Sequence, residues 1–155
     1  MPRIELTTEI SAPIEQVFDL ARSIDVHAES QSRHGEKAVA GRMSGLIESG
    51  EEVTWEAVHF GVRQRLTSRI DTMYRPRHFR DSMVRGAFRR FVHDHYFELT
   101  PNGTTAMKDV FVYEAPLGPL GRLADRLFLT AYMRRLLSER NAVIKRTAET
   151  GILSS

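Results

Sequence analysis

The chain has 155 residues, a length that fits one ordinary domain, so we predict a single domain over residues 1–155. Hydrophobic residues make up 41% of the chain and charged residues 27%, which is normal for a soluble globular protein. The formal net charge of +2 is too small to indicate a nucleic-acid partner. The absence of cysteine excludes disulfides, thiolate zinc sites and cysteine nucleophiles.

The first elements are a strand and two short helices. Residues 3–10 alternate apolar and polar side chains, which predicts a half-buried strand. A helix start follows, with Ser11 as the expected N-cap, Pro13 in the first turn and Glu15 near the positive end of the helix dipole. A second short helix or turn is expected over residues 24–31.

From residue 36 to residue 114 the hydrophobic pattern has a period of two, interrupted by turn residues. Breaks fall near Gly61, over residues 74–77, at Gly86 and over residues 101–103, where an asparagine–glycine pair favours a hairpin. Strands joined by such short turns indicate an antiparallel meander of about six strands.

After a loop rich in proline and glycine, the pattern becomes helical. Two neighbouring apolar stripes predict one long helix from about Leu120 to about Glu149, with Gly151 as its stop. The stripes are Leu120, Leu123, Leu127 and Ala131, and Ala124, Phe128, Tyr132 and Leu136. An antiparallel sheet needs a cover for one face, and this helix supplies it. We therefore predict an α+β helix-grip fold, with six to seven curved strands around the C-terminal helix and a cavity between them.

Four segments carry a resemblance to a known superfamily. They are the run from Val53 to Val62, the triplet Val84-Arg85-Gly86, the triplet His93-Asp94-His95, and the run from Gly118 to Asp125. In these segments the chain resembles bacterial, uncharacterised ligand-binding members of the START-like (SRPBCC) superfamily. That superfamily includes lipid-transfer START domains, polyketide cyclases, the birch pollen allergen and plant hormone-binding proteins. The resemblance covers nearly the whole chain.

The resemblance implies the helix-grip fold and a hydrophobic cavity, but no particular reaction, because activities in this superfamily differ widely. We therefore expect binding, transport or sequestration of a small hydrophobic molecule such as a lipid, an isoprenoid or a polyketide. No cofactor is expected. The N-terminal residues lack an apolar signal core and no stretch is long enough to span a membrane, so we expect a cytoplasmic protein. The last helix and the strand edges leave a homodimer open.

Polar residues on the inner face of the predicted sheet are the most informative feature of the sequence. The apolar members of that face are Trp55, Leu66, Ile70, Phe79, Met83, Phe91, Phe97, Met107 and Phe111. The polar members are His59, Gln64, Asp81, Arg85, His93, His95, Asp109 and Tyr113. With Leu127 and Ala131 of the helix, these positions apart from Ile70 and Phe97 supply the predicted ligand contacts. Buried polar groups need partners, water or a ligand.

Four interpretations of these polar residues stay open. The first is an internal network in which Asp81 and Asp109 pair with arginine or histidine. In the second, the same groups orient the polar end of a mostly apolar ligand. The third is a metal site, because His93 and His95 lie two apart on a strand and face the same side, where His59 or Asp109 could complete the ligand set.

The fourth interpretation is acid–base catalysis. A cyclase or dehydratase removes a proton beside a carbonyl and protonates an oxygen, and His93, His95, Asp109, Tyr113 and Arg85 are the candidates for those roles. One sequence does not rank them.

A separate possibility is an interaction module for a protein, RNA or membrane partner. It rests on Arg63, Arg65 and Arg69, which lie on the outer side of one predicted strand. A solvated face is the simpler interpretation of that stripe. Arg140 on the last helix is expected to be exposed, although it falls near an apolar stripe.

Overall fold

The computed structural model describes residues 1–116, 118–124 and 128–151. The elements of this part of the chain follow the predicted order. They are β1 (Arg3–Ile10), α1 (Ile14–Ala21), α2 (Ile24–Ser30), a short 3-10 helix (Ser32–His34), β2 (Lys37–Gly41), β3 (Glu52–His59), β4 (Val62–Tyr74), β5 (His78–Arg85), β6 (Arg90–Leu99), β7 (Thr105–Glu114), α3 (Gly118–Ala124) and α4 (Thr130–Thr150).

The seven strands form one antiparallel sheet in the order β1-β7-β6-β5-β4-β3-β2. Strands β2 to β7 are neighbours in sequence and in space, whereas β1 pairs with the last strand, from Arg3 opposite Val112 to Ile10 opposite Thr105. The helices α1 and α2 and the long helix α4 complete the arrangement. The predicted α+β helix-grip architecture is therefore confirmed.

The start of α1 differs from the prediction. Pro13 occupies the N-cap position without a side-chain cap, and the backbone N–H of Ser11 donates instead to Glu149 Oε2 at 2.9 Å. Ser11 as N-cap was wrong because this residue is tied to the end of α4. Helix α2 does have a side-chain cap, since Ser23 Oγ accepts from the backbone N–H of Val26 at 3.2 Å.

The structure describes the C-terminal helical region in two parts, α3 and α4, and residues 125–127 between them lie outside the described residues. Leu120 and Leu123 are 71% and 54% exposed, so they do not form the predicted buried stripe. Leu127 lies outside the described residues. Gly151 ends α4 in a left-handed conformation with φ 73°, as predicted.

Helix α4 packs against α1, α2 and β1. Its buried face contains three polar residues, Arg140, Asn141 and Thr147. The apolar members of that face are Leu137, Ile144 and Ala148. None of the described helices has both the length and the apolar character that crossing a membrane requires.

A register shift between β4 and β5 changes the direction of one predicted inner residue. Met83 lies opposite Ser68, but Arg85 lies opposite Thr67, the next residue of β4. Thr67 Oγ1 is hydrogen bonded to Thr54 Oγ1, on the side of β3 that faces away from Trp55. The bulge therefore leaves Arg85 exposed at the strand end, and its expected place on the inner face was wrong.

Candidate functional site

A cavity of about 380 Å³ lies between the inner face of the sheet and the helices. Its walls are mostly apolar and include Trp55, Ile70, Phe79, Phe91, Phe111 and Leu137. Strands β3 to β7 supply one wall, and α4 with the end of α1 and α2 supplies the other. The predicted inner face of the sheet therefore forms one wall of the predicted cavity.

Ten of the residues predicted to contact a ligand line this cavity. They are Trp55, His59, Gln64, Leu66, Phe79, Asp81, Phe91, His93, His95 and Phe111. All of them lie on β3 to β7, at positions where alternation along a strand turns the side chain inward.

The other predicted residues do not line it. Met107, Asp109 and Tyr113 are fully buried in the core, and the Tyr113 hydroxyl is hydrogen bonded to Thr130 Oγ1 at 2.8 Å. Met83 is half-buried and packs against an apolar cluster beside the cavity. Ala131, in the first turn of α4, is exposed.

Several lining residues were missed by sequence reasoning. The most important is Arg140, which was expected to be exposed but is only 3% exposed and reaches the cavity. Its spacing from Leu137 and Ile144, three and four residues away, is the signal that placed it on the buried face. Gln31 of the α2 end and Tyr132 of α4 also line the cavity.

The polar residues of β5, β6 and β7 interact diagonally across the sheet. The register places Asp81 opposite His93 and His95 opposite Asp109. The side-chain hydrogen bonds join the other pairs, His93 Nε2 to Asp109 Oδ1 at 2.8 Å and His95 Nε2 to Asp81 Oδ2 at 3.2 Å. The two imidazole rings stack with their centroids 3.8 Å apart.

Asp109 is the centre of a closed network with α4. Besides the contact to His93, its Oδ1 accepts from Arg140 Nη1 at 3.3 Å, and its Oδ2 accepts from Asn141 Nδ2 at 2.7 Å. Burial would raise the pKa of Asp109, but the hydrogen bond from His93 and the charge of Arg140 outweigh it and hold that pKa well below its usual value. Asp109 is therefore an ionised carboxylate whose two oxygens both have donors.

The protonation of the two histidines follows from their partners. Arg140 Nη2 lies 3.2 Å from His95 Nδ1, and a guanidinium only donates, so Nδ1 of His95 is an acceptor and its Nε2–H donates to Asp81. Burial lowers the pKa of His93, which is therefore neutral and donates from Nε2 to Asp109. Its Nδ1 then carries a lone pair.

Asp81 is the least satisfied member of the cluster. Its side chain is 19% exposed and lines the cavity, and among the described residues His95 is its one hydrogen-bond donor. Burial would raise the pKa of Asp81, but the hydrogen bond from His95 opposes this effect and the pKa is lowered below its usual value. An ionised carboxylate with spare acceptor capacity therefore faces the cavity.

The metal interpretation of the inner polar residues involves a different set of side chains from the one considered from the sequence. Within the described residues, one ligand atom each of Asp81, His93 and His95 lie within 4.8 Å of one another. His59 is not part of this group, because its Nδ1 is hydrogen bonded to Tyr132 Oη at 2.6 Å. Both Nε2 atoms of the histidine pair already donate to carboxylates, and Arg140 occupies Nδ1 of His95. These contacts favour a hydrogen-bonded cluster over a metal centre.

Aromatic residues surround one end of the cavity. The ring of Phe60 lies 4.5 Å from that of Tyr132, measured between centroids, and Phe60 is 66% exposed although it also lines the cavity. Burial and the nearby His34 lower the pKa of His59 in the same region. This end of the cavity therefore reaches the protein surface beside the β3–β4 turn.

The outer arginine stripe on β4 is paired with carboxylates. Arg65 Nε lies 2.8 Å and Arg63 Nε 4.0 Å from Glu56, and Arg69 Nη1 lies 3.7 Å from Glu52. Exposed pairs of this kind are common on solvated surfaces. The carboxylates of Glu52 and Glu56 neutralise part of the positive charge that would attract a phosphate-bearing partner.

No family model matches the chain, and no curated protein matches it in sequence. Solved structures do match its fold. TTHA0849 from Thermus thermophilus is 21% identical with a TM-score of 0.71, over 92% of this chain and 97% of that one. A START superfamily protein from Mycobacterium smegmatis is 10% identical with a TM-score of 0.67, over 89% and 92%. Major latex-like protein 151 from Panax ginseng is 14% identical with a TM-score of 0.58, over 91% and 95%.

These likenesses define the class of fold. The chain has the START-like helix-grip fold, as its sequence resemblance implied. At these identities the likeness concerns the fold alone.

Proposed function

We propose that this protein binds a small, mostly apolar molecule in the cavity between its sheet and α4. The observation that carries the proposal is a cavity of about 380 Å³ with apolar walls and one polar cluster. Ligand sites in proteins are typically roughly 300–1,000 Å³, with apolar linings and a few polar groups that fix orientation. A lipid, an isoprenoid or a polyketide has the matching chemistry, and residues 1–155 would act as one binding domain.

The location of the polar groups supports the proposal. Asp81, His93 and His95 occupy the neighbouring strands β5 and β6, so these three polar side chains lie together on one part of the inner wall. The remaining wall would remove an apolar chain from water, which favours binding by about 25 cal/mol per Å² of apolar surface buried. One polar end and one apolar body is therefore the shape of ligand that suits the cavity.

A filled cavity tests the proposal. Ala57 lines the cavity and is 6% exposed, whereas its neighbour Val58 points outward and is 43% exposed. Ala57→Phe is expected to weaken binding of Nile red, an apolar fluorescent dye, at least tenfold, and Val58→Phe is the matched control with unchanged affinity. Native mass spectrometry of the purified protein should also detect a bound molecule that Ala57→Phe loses. Equal dye affinity in both variants would contradict the proposal.

A second candidate function, proton transfer, is favoured by one specific contact. Asp109 holds the Nε2–H of His93 at 2.8 Å, which leaves the lone pair of Nδ1 on a residue that lines the cavity. A histidine oriented by a carboxylate in this way acts as a general base. It could remove a proton from a carbon next to a ligand carbonyl, giving an enolate, the first step of a polyketide cyclisation or dehydration.

Isotope exchange tests this step without knowledge of the natural substrate. In deuterated water, 1,3-diketones with aromatic substituents should gain deuterium at the acidic carbon faster with the wild-type protein than with His93→Gln. Mass spectrometry measures the incorporation. Equal rates for both proteins across the panel would leave ligand binding as the function.

A further inference from the structure

We propose that the polar end of the ligand is a hydrogen-bond donor, a protonated amine or a hydroxyl group, and not a carboxylate or phosphate. The proposal rests on the cavity-binding function above and adds the chemistry of the head group. It follows from a difference between the donors and the acceptors of the polar cluster formed by Asp81, His93, His95, Asp109 and Arg140. The two Nη groups of Arg140 and the Nε2–H groups of both histidines are used within the protein, whereas acceptors on Asp81 and His93 remain available.

Arg140, the cation nearest the cluster, is fully occupied at its two Nη atoms. Nη1 donates to Asp109 Oδ1 at 3.3 Å and to Asn141 Oδ1 at 2.8 Å. Nη2 donates to the backbone oxygen of Ala21 at 3.2 Å and to His95 Nδ1 at 3.2 Å. Each Nη carries two hydrogens, so these four bonds leave no forked donor for a ligand carboxylate.

The histidines contribute one acceptor and no donor to the cavity. The Nε2–H of each ring is directed to a carboxylate, that of His93 to Asp109 and that of His95 to Asp81. Nδ1 of His95 accepts from Arg140, so it is satisfied as well. Nδ1 of His93 has a lone pair and no partner within the described parts of the chain.

The charge of the cluster also favours a donor. Asp81 and Asp109 carry two negative charges, and the one positive charge of Arg140 is already bound to Asp109. Arg22, the other buried guanidinium of the wall, is paired with Asp19 at 2.9 Å and also contacts Glu48. An anionic head group near Asp81 would therefore meet like charge in a low-dielectric environment, where repulsion is strong.

Three amphiphiles with the same chain test the proposal on the wild-type protein. Decylamine, decanol and decanoate differ only in the head group, and each is titrated at pH 7.5 against the Nile red complex. We expect the amine and the alcohol to displace the dye at concentrations at least tenfold lower than decanoate. Decylamine ahead of decanol would identify an ammonium group as the preferred donor, and decanol ahead of decylamine a hydroxyl group.

Variants locate the source of the preference. Asp81→Asn removes the charge with little change in shape. It should reduce at least threefold the ratio of the decanoate concentration to the decylamine concentration that displaces Nile red. Asp71→Asn is the matched control, because Asp71 is an exposed carboxylate that pairs with Arg69 on the outer face, and it should keep the wild-type ratio.

Three results would overturn the proposal. The first is that decanoate displaces the dye as well as or better than the amine and the alcohol. This result would leave the binding function intact and would indicate Arg22 as the partner of the carboxylate. If Asp81→Asn shows the same ratio of displacing concentrations as the wild type, Asp81 does not cause the preference for a donor head group. No binding of Nile red or of any amphiphile would instead reject the binding function itself.

Discussion

Asp109 and Asp81 are two carboxylates of the same inner face, and they differ in how completely they are partnered. Asp109 has no exposed surface and accepts hydrogen bonds from His93, Arg140 and Asn141. Asp81 faces the cavity and accepts from His95. A closed network of buried charges fixes how the helix docks on the sheet, whereas an incompletely satisfied carboxylate is available to a ligand. The same residue type is therefore fully partnered at one position and open to the cavity at the other.

The largest expected effect comes from opening the closed network. Arg140→Met removes one partner of a fully buried carboxylate, and breaking a buried pair in this way costs about 3–5 kcal/mol. Urea denaturation should show this loss in the free energy of unfolding. The control is Arg80→Met, because Arg80 makes a two-pronged contact with Asp94 on the outer face, at 2.8 and 2.9 Å, while 46% of its side chain is exposed.

The control is expected to cost about 1 kcal/mol, since solvent screens an exposed pair. A loss for Arg140→Met no larger than that for Arg80→Met would mean that the network around Asp109 does not stabilise the docking of α4.

The pH dependence of stability separates Asp109 from the other acids. The pKa of Asp109 is lower in the folded protein than in the unfolded chain, so its ionised form stabilises the fold above roughly pH 3.9, and the contribution is lost as the pH falls through the folded value. The free energy of unfolding should therefore fall less between pH 5 and pH 3 in Asp109→Asn than in the wild type.

Thermal unfolding at both pH values, with ionic strength held constant, measures this difference. Part of the fall in the free energy of unfolding should remain in Asp109→Asn, because the pKa of Asp94 is also lowered in the folded protein. The exposed control Asp71→Asn should show the same fall as the wild type. An unchanged slope in Asp109→Asn would show that other groups cause the acid sensitivity.

The fold could be predicted from local patterns, and the exceptions have local causes. Alternation in the strands placed Trp55, Phe79 and His93 on one face correctly, because side chains alternate strictly along an unbroken strand. A bulge in β5 interrupted this rule at Arg85. The predicted apolar stripe likewise failed at Leu120 and Leu123, which are exposed on α3.

The candidate site was predictable as a set of residues but not as a hydrogen-bond network. The positions of Asp81, His93, His95 and Asp109 on one face follow from the sequence, yet their pairing depends on the register of three strands. Arg140 joins them from a helix far along the chain. No pattern in the sequence specifies that its guanidinium is saturated, although that saturation decides which groups remain for a ligand.

The turn at the cavity entrance gives a smaller, stabilising effect. Phe60 and Gly61 connect β3 to β4 with φ angles of 53° and 72°, which is the type I′ geometry that favours asparagine followed by glycine. A phenylalanine in the left-handed region costs about 1–2 kcal/mol, and such strain often accompanies function. Phe60→Asn should raise the free energy of unfolding by about 0.5–1 kcal/mol.

The same variant should speed the exchange of ligand. The ring of Phe60 contacts Tyr132 where the cavity reaches the surface, so its removal widens the entrance. Stopped-flow dissociation of Nile red should be faster in Phe60→Asn and unchanged in Val62→Asn, an exposed position after the turn. Unchanged dissociation with higher stability would make Phe60 an ordinary turn residue.

The smallest expected effect on stability comes from Asp81, although its effect on binding is large. Asp81→Asn keeps a side-chain oxygen that accepts from His95. The new amide borders the cavity, where water can hydrate it. The free energy of unfolding should change by less than about 1 kcal/mol, and an increase would fit a site that trades stability for function. Urea denaturation beside Arg140→Met makes the comparison direct. A loss for Asp81→Asn close to that of Arg140→Met would show that both carboxylates belong to one structural network.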